Sequence, residues 1–148
     1  MKYRELMDAA AAYLVEEKVE VSAPGVAADF FRPMAQGLEQ EHFWVASLDP
    51  QNHILSVETI AIGLADRCPI HAREIFRAAI IANAVGVLLA HNHPSGDTTP
   101  SAEDITATGE VYKAGKILGI EVLDHIILGT RTHRDAKDYY SMRENGRI

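Results

Sequence analysis

Apolar positions along this chain recur with two different periods, and those periods predict helices alternating with strands. Leu6, Ala9, Ala10, Tyr13 and Leu14 fall on one face of a helix running to about Val15. Pro24 and Gly25 interrupt the pattern, and a shorter helical segment is expected over 26–38, broken or kinked by Pro33. The apolar run 43–48 then meets Asp49-Pro50-Gln51-Asn52, a turn signal, before a second strand that starts near Ile54 and is ended after Ile62 by Gly63. That pattern is a hairpin. Pro69 suits the first turn of a helix reaching Asn83, with Ile75, Phe76, Ala79 and Ile80 as its apolar face.

The unbroken run 85–90 lacks polar alternation and is too short for a helix, so it is expected to be a strand buried on both sides. It leads directly into His91-Asn92-His93. A loop of Pro, Ser, Gly and Thr follows, then a helix over 102–118 that Gly119 is placed to end, then an apolar strand over 121–128. No internal repeat and no Gly/Ser linker divides the chain.

Composition narrows the function classes. With 148 residues, 47% of them apolar, the chain is long enough to bury one sizeable core without staples. The net charge of -7 works against nucleic acid as a partner, because phosphate binding relies on clustered Lys and Arg. The basic-flavoured stretch 131–137 is diluted by Asp135 and followed by Asp138, so it reads as a solvated loop. Cys68 has no second cysteine to pair with, carries little weight as a nucleophile, and fits a reducing cytoplasm. Glu16 and Glu17 interrupt any apolar signal core, and no run of eighteen apolar residues predicts a membrane span. A cytoplasmic, unexported protein is expected.

The candidate chemistry is concentrated in residues 91–104, HNHPSGDTTPSAED. Side chains two apart on an extended strand point the same way, so His91 and His93 can offer two imidazole nitrogens to one metal. The loop can fold back so that Asp104, on the first turn of the next helix, adds a carboxylate oxygen. Zinc suits this mixed nitrogen and oxygen set, three protein ligands leave one position for water, and such a water has its pKa lowered toward roughly 7. Amide hydrolysis also requires a proton acceptor and an oxyanion donor, roles open to an upstream glutamate and to Ser101.

His91, His93, Ser101 and Asp104 match the pattern H-x-H, seven residues, S, two residues, D, and in this the chain resembles the JAMM metalloproteases, also called the JAB or MPN-plus domain. The wording HNHPSG followed by Pro100-Ser101 is similar to the bacterial RadC-like branch. The likeness continues through Phe43-Trp44-Val45, the segment HAREIF at 71–76, and Leu123-Asp124-His125-Ile126-Ile127 with Gly129. It implies an α/β fold of cytidine-deaminase-like type, a curved sheet flanked by helices, as a domain over 41–148 with residues 1–40 as a helical segment packed on it. It also implies one zinc on His91, His93 and Asp104, Glu41 as general base, and Ser101 as oxyanion stabiliser, acting on a peptide or isopeptide bond of a protein or peptide substrate. Glu39, Glu58 and Glu74 are weaker candidates for the base. Longer RadC-like proteins carry an N-terminal helix-hairpin-helix region associated with DNA, which the first forty residues here do not match.

Other readings stay open at this stage. Ser101 and Asp104 also fit a helix N-cap and its N3 partner, although Asp is short for a capping box. Asp124 and His125 suit either a hydrogen bond behind the metal ligands or a buried structural pair. Two histidines and one carboxylate also serve non-haem iron. A non-catalytic binding module, including one associated with DNA repair, is the third alternative. The oligomeric state is not encoded in any motif.

Overall fold

Alternation of side chains along the strands decides which face each residue serves, and here both faces of the central strands are covered. The computed structural model describes residues 2–6, 18–63, 70–130 and 137–148. The predicted face of the first helix beyond Leu6, and the expectations resting on Cys68, Pro69 and residues 131–136, lie outside them. Among the described residues the strands are β1 (His42–Leu48), β2 (Ile54–Ile62), β3 (Gly86–Asn92), β4 (Glu121–Leu128) and β5 (Tyr139–Ser141). The long helices are α1 (Pro24–Ala35), α2 (Ala72–Ile81) and α3 (Ala102–Leu118).

The strands form one open sheet in the order β2-β1-β3-β4-β5. β3 and β4 are parallel, and the other neighbours are antiparallel. The parallel pair needs a crossover, which α3 supplies. An α/β architecture with flanking helices follows, as expected.

β3 is the centre of the fold and is buried along its whole length. Leu88 and Ala90 face a core of Phe30 and Phe31 from α1, Trp44 from β1 and Ile126 from β4. Val87 and Leu89 face the opposite core, with Phe43 and Val45, Ile75 and Phe76 of α2, and Val111 of α3. This two-sided burial is why the run shows no polar alternation.

The hairpin is as the sequence predicts: Asp49 Oδ1 accepts from the backbone N–H groups of Gln51 and His53, each at 2.9 Å, and ties the turn. α3 also occupies its predicted span, with Gly119 at φ +73° closing its C-terminus. Two expectations change, and one element is new. Pro33 does not break α1, which continues to Ala35; the proline sits in the last turn, where its missing N–H removes one hydrogen bond with only two residues following. β3 extends past the apolar run, so His91 and Asn92 are strand residues. β5 was not anticipated, because three residues are too few to show a period.

Gly129 marks the close approach that seats the loop after β3. A Cβ built there would stand 2.2 Å from the Gly96 carbonyl oxygen and 2.7 Å from Thr98 Cγ2, so only glycine lets the end of β4 pass the loop.

Candidate metal centre

The site forms at the C-terminal end of β3, where the chain turns toward the N-terminus of α3. His91 is on the strand and His93 is two residues on, so both rings project toward the layer of α2 and α3. Their Nε2 atoms lie 3.0 Å apart. Asp104, in the first turn of α3, brings Oδ1 to 3.4 Å from His91 Nε2 and Oδ2 to 3.2 Å from His93 Nε2. Glu41 completes the group, its Oε1 at 3.3 Å from His91 Nε2 and 3.7 Å from His93 Nε2. One ligand atom from each of the four residues lies within 4.8 Å of the others, a group that can hold a metal ion.

Strand register brings Glu41 there. β1 pairs antiparallel with β3 so that Phe43 faces His91, and two residues further along the same face Glu41 comes opposite His93. Asn92 secures this approach. Its side chain points to the other face, accepts from the His42 backbone N–H at 2.7 Å and donates to the Gln40 carbonyl at 3.1 Å, gripping the chain on both sides of Glu41. Glu39 and Glu58 are exposed and Glu74 is half-buried in α2; none of the three belongs to the group, whereas Glu41 is buried.

Ser101 and Asp104 form a complete capping box. The Ser101 hydroxyl oxygen accepts from the Asp104 N–H at 3.0 Å, and Asp104 Oδ2 accepts from the Ser101 N–H at 2.9 Å. Aspartate is therefore long enough, against the expectation from its length. The box fixes the carboxylate that faces both histidines, so the helix cap and the site share one side chain. Ser101 itself is exposed.

Electrostatics sharpen the donor set. Burial alone would raise the Asp104 carboxyl, but hydrogen bonds and charge interactions with His91 and His93 outweigh it and hold Asp104 well below the usual carboxylate range. For His93, burial opposes the charged form, yet the bonds to Asp104 and the Asp97 carbonyl carry the net shift above the ordinary imidazole value. His93 Nδ1 lies 2.7 Å from the Asp97 carbonyl oxygen, which can only accept, so the neutral ring turns a bare Nε2 toward the carboxylates. Converging lone pairs and carboxylate oxygens repel one another unless a cation joins them, and this donor set fits a divalent metal.

Behind the site, His91 Nδ1 is 2.7 Å from His125 Nε2 on β4. A register shift opposite Val87 and Leu88 makes this contact, because Val122 and Asp124 then face successive residues of β3 and the extra residue turns His125 onto the His91 side. Of the two expectations for Asp124 and His125, the hydrogen bond behind the site holds for His125, while the two buried residues are joined to each other only through the His125 backbone N–H. Asp124 accepts from Ser141 Oγ at 2.5 Å and from the Arg143 and His125 backbone N–H groups, and burial pushes its carboxyl up. The same burial, followed by the neighbouring His91, depresses the His125 imidazole well below its usual value. Asn92 and Thr108 carried no signal in the sequence beyond their spacing from His91 and Asp104.

A mixed open sheet with two histidines and two carboxylates at the end of its central strand defines an α/β domain with a candidate metal centre. The chain belongs to the RadC-like JAB domain family, whose model matches residues 21–147. It is 42% identical over 128 residues to a UPF0758 protein of Rubrobacter xylanophilus, covering 86% of this chain and 53% of that protein. A UPF0758 protein of Staphylococcus carnosus is 42% identical over 132 residues, covering 89% of this chain and 56% of its own length. One from Desulfitobacterium hafniense is 46% identical over 109 residues, covering 74% and 45%. The chain spans about half the length of these relatives. Among the described residues no helix is long and apolar enough to cross a membrane.

Proposed function

We propose that this domain is a zinc-dependent hydrolase that cleaves a peptide or isopeptide amide bond, with His91, His93 and Asp104 as metal ligands and Glu41 as general base. The observation that carries the reading is the convergence of both Nε2 atoms and both carboxylates within 4.8 Å at the end of a buried strand. The zinc dependence of JAMM domains, the superfamily group to which the RadC-like JAB domain is related, supports the choice of metal. Zinc held there would supply a Lewis acid and lower the pKa of water toward roughly 7.

The chain's own residues do the rest. Glu41, buried beside both histidines, accepts a proton as water adds to the scissile carbonyl and returns it to the departing nitrogen. The bond between the Ser101 oxygen and the Asp104 N–H uses a lone pair and leaves the hydroxyl hydrogen to donate to the developing oxyanion. The capping box keeps Asp104 from swinging away from the histidines.

Metal analysis of protein purified without chelator tests this reading, joined to profiling of peptide and isopeptide substrates. About one zinc per chain is expected, and His91→Ala should lose most of it. Stoichiometric iron with little zinc, or unchanged zinc in that variant, overturns the assignment; zinc without turnover of any amide leaves a binding module.

The raised His93 pKa gives a pH dependence. A proton and the metal compete for the same Nε2, and a raised pKa means that the proton competes from above the ordinary imidazole range. Zinc affinity, measured by competition with a chromophoric chelator, should fall about tenfold per pH unit below the His93 value of the metal-free protein. An affinity that stays flat from neutral pH down through the ordinary imidazole range contradicts it.

A further inference from the structure

His91 differs from His93 in what stands behind it. The Nδ1 of His93 faces a carbonyl, which can only accept, so its proton has one place to go. The Nδ1 of His91 faces another imidazole, which can accept or donate. The pair alone therefore does not determine whether the proton of His91 lies on Nδ1 or on Nε2, inside the site.

The chain of contacts continues beyond His125. His125 Nδ1 is 2.6 Å from Thr108 Oγ1, and Thr108 Oγ1 is 2.7 Å from the Asp104 carbonyl oxygen, one turn back along α3. His125 and Thr108 are each 1% exposed, so solvent does not substitute for either partner. Each neutral ring and the hydroxyl has one proton to donate, so the direction of one bond sets the direction of all.

The final acceptor is a backbone carbonyl that cannot donate. With the Thr108 hydroxyl donating to Asp104 O, the Thr108 oxygen accepts from His125 Nδ1–H. His125 Nε2 is then bare and accepts from His91 Nδ1–H. His91 Nε2 is left as a lone pair directed toward His93, Glu41 and Asp104. The opposite direction would put the neutral His91 proton on Nε2, where it blocks a metal, and would deprive the Asp104 carbonyl of its hydroxyl partner.

We infer that His125 and Thr108 are positioning residues that select the His91 tautomer able to bind metal, the direction being set by the Asp104 carbonyl at the start of α3. The inference rests on the metal-binding reading above. Metal-bound histidines commonly donate their second N–H to a carboxylate, a carbonyl or water. Here a reversible imidazole takes that place, and a threonine four residues after a ligand makes it one-directional. One helix thus supplies a ligand at Asp104 and orients a second ligand on β3.

The test reads the ring nitrogens directly. Protein labelled with nitrogen-15 histidine should show His125 as the Nδ1–H tautomer by long-range proton–nitrogen correlation, both with zinc added and after chelation. Thr108→Ser, which keeps the hydroxyl, should retain that tautomer and the wild-type zinc affinity. Thr108→Val, which keeps the shape without the hydroxyl, should give mixed His125 tautomers and bind zinc about tenfold more weakly. A buried pair with only a structural role would lower melting temperature and leave both readouts unchanged. His125 protonated on Nε2 in the unaltered chain overturns the inference, as does a folded Thr108→Val protein with wild-type tautomer and zinc affinity. If the unaltered chain takes up no zinc, the metal reading fails, while the His125 tautomer still decides the direction of the chain. If Thr108→Val does not fold, the spectra of the unaltered chain and of Thr108→Ser decide the outcome.

Discussion

Replacing Glu41 with glutamine should lower amide-bond turnover roughly a hundredfold or more while leaving the metal content close to that of the unaltered chain. Glutamine matches glutamate in size and still offers an oxygen, but at neutral pH its amide does not take up a proton. The Asn92 amide grips residues 40 and 42 through their backbone, so it holds either side chain in the same place. Metal content and turnover therefore separate if Glu41 is the base. They fall together if Glu41 acts chiefly as a ligand, an alternative that its 3.3 Å approach to His91 Nε2 makes worth measuring. Glu39, Glu58 and Glu74 lie outside the cluster, and their glutamine variants should retain activity. A fully active Glu41→Gln protein would show the base to be elsewhere.

Ser101 should separate stability from chemistry. Loss of its hydroxyl in Ser101→Ala removes the acceptor for the Asp104 N–H and should cost about 0.5 to 2 kcal/mol. The backbone N–H of Ser101 still reaches Asp104 Oδ2 in that variant, so the ligand carboxylate keeps its orientation and zinc should be retained. If the hydroxyl also donates to the oxyanion, turnover should fall roughly a hundredfold at temperatures where the protein is fully folded. Ser101→Asp is the informative control. It restores a capping acceptor, and so much of the stability, but sets a negative charge beside the oxyanion and should not restore turnover. Melting temperature, zinc content and turnover measured together decide the matter, and a folded, zinc-loaded, fully active Ser101→Ala protein would reduce Ser101 to a cap.

Much of this architecture was legible because local periods encode local structure. The buried run before His91, the turn after Leu48 and the Gly119 stop each state an element in a few residues, and each appears where its pattern placed it. Pro33 lies in the last turn of α1, so the lost N–H and the crowding of its ring against the preceding turn fall where only two helical residues follow, and the helix ends just beyond it rather than at it. The capping role of Asp104 is a second departure from local expectation. Side-chain length alone argues against aspartate there, whereas cap geometry and the demands of the two histidines converge on the same carboxylate.

Local patterns suffice for the order of elements, the shared direction of His91 and His93, and the place of Asp104 at the start of a helix. Nothing in the local pattern separated Glu41 from Glu39, Glu58 or Glu74; only the family resemblance singled it out. The pattern offers Asp124 and His125 together for a hydrogen bond behind the ligands without separating them, and it does not show Thr108 behind His125. Those placements depend on the pairing of β1 and β4 with the two edges of β3, and on the irregularity that turns β4 by one residue. A period of two tells which side of a strand a residue serves, but not which residue of another strand lies beside it. That choice belongs to the packing of two cores against one central strand, and only the tertiary structure made it.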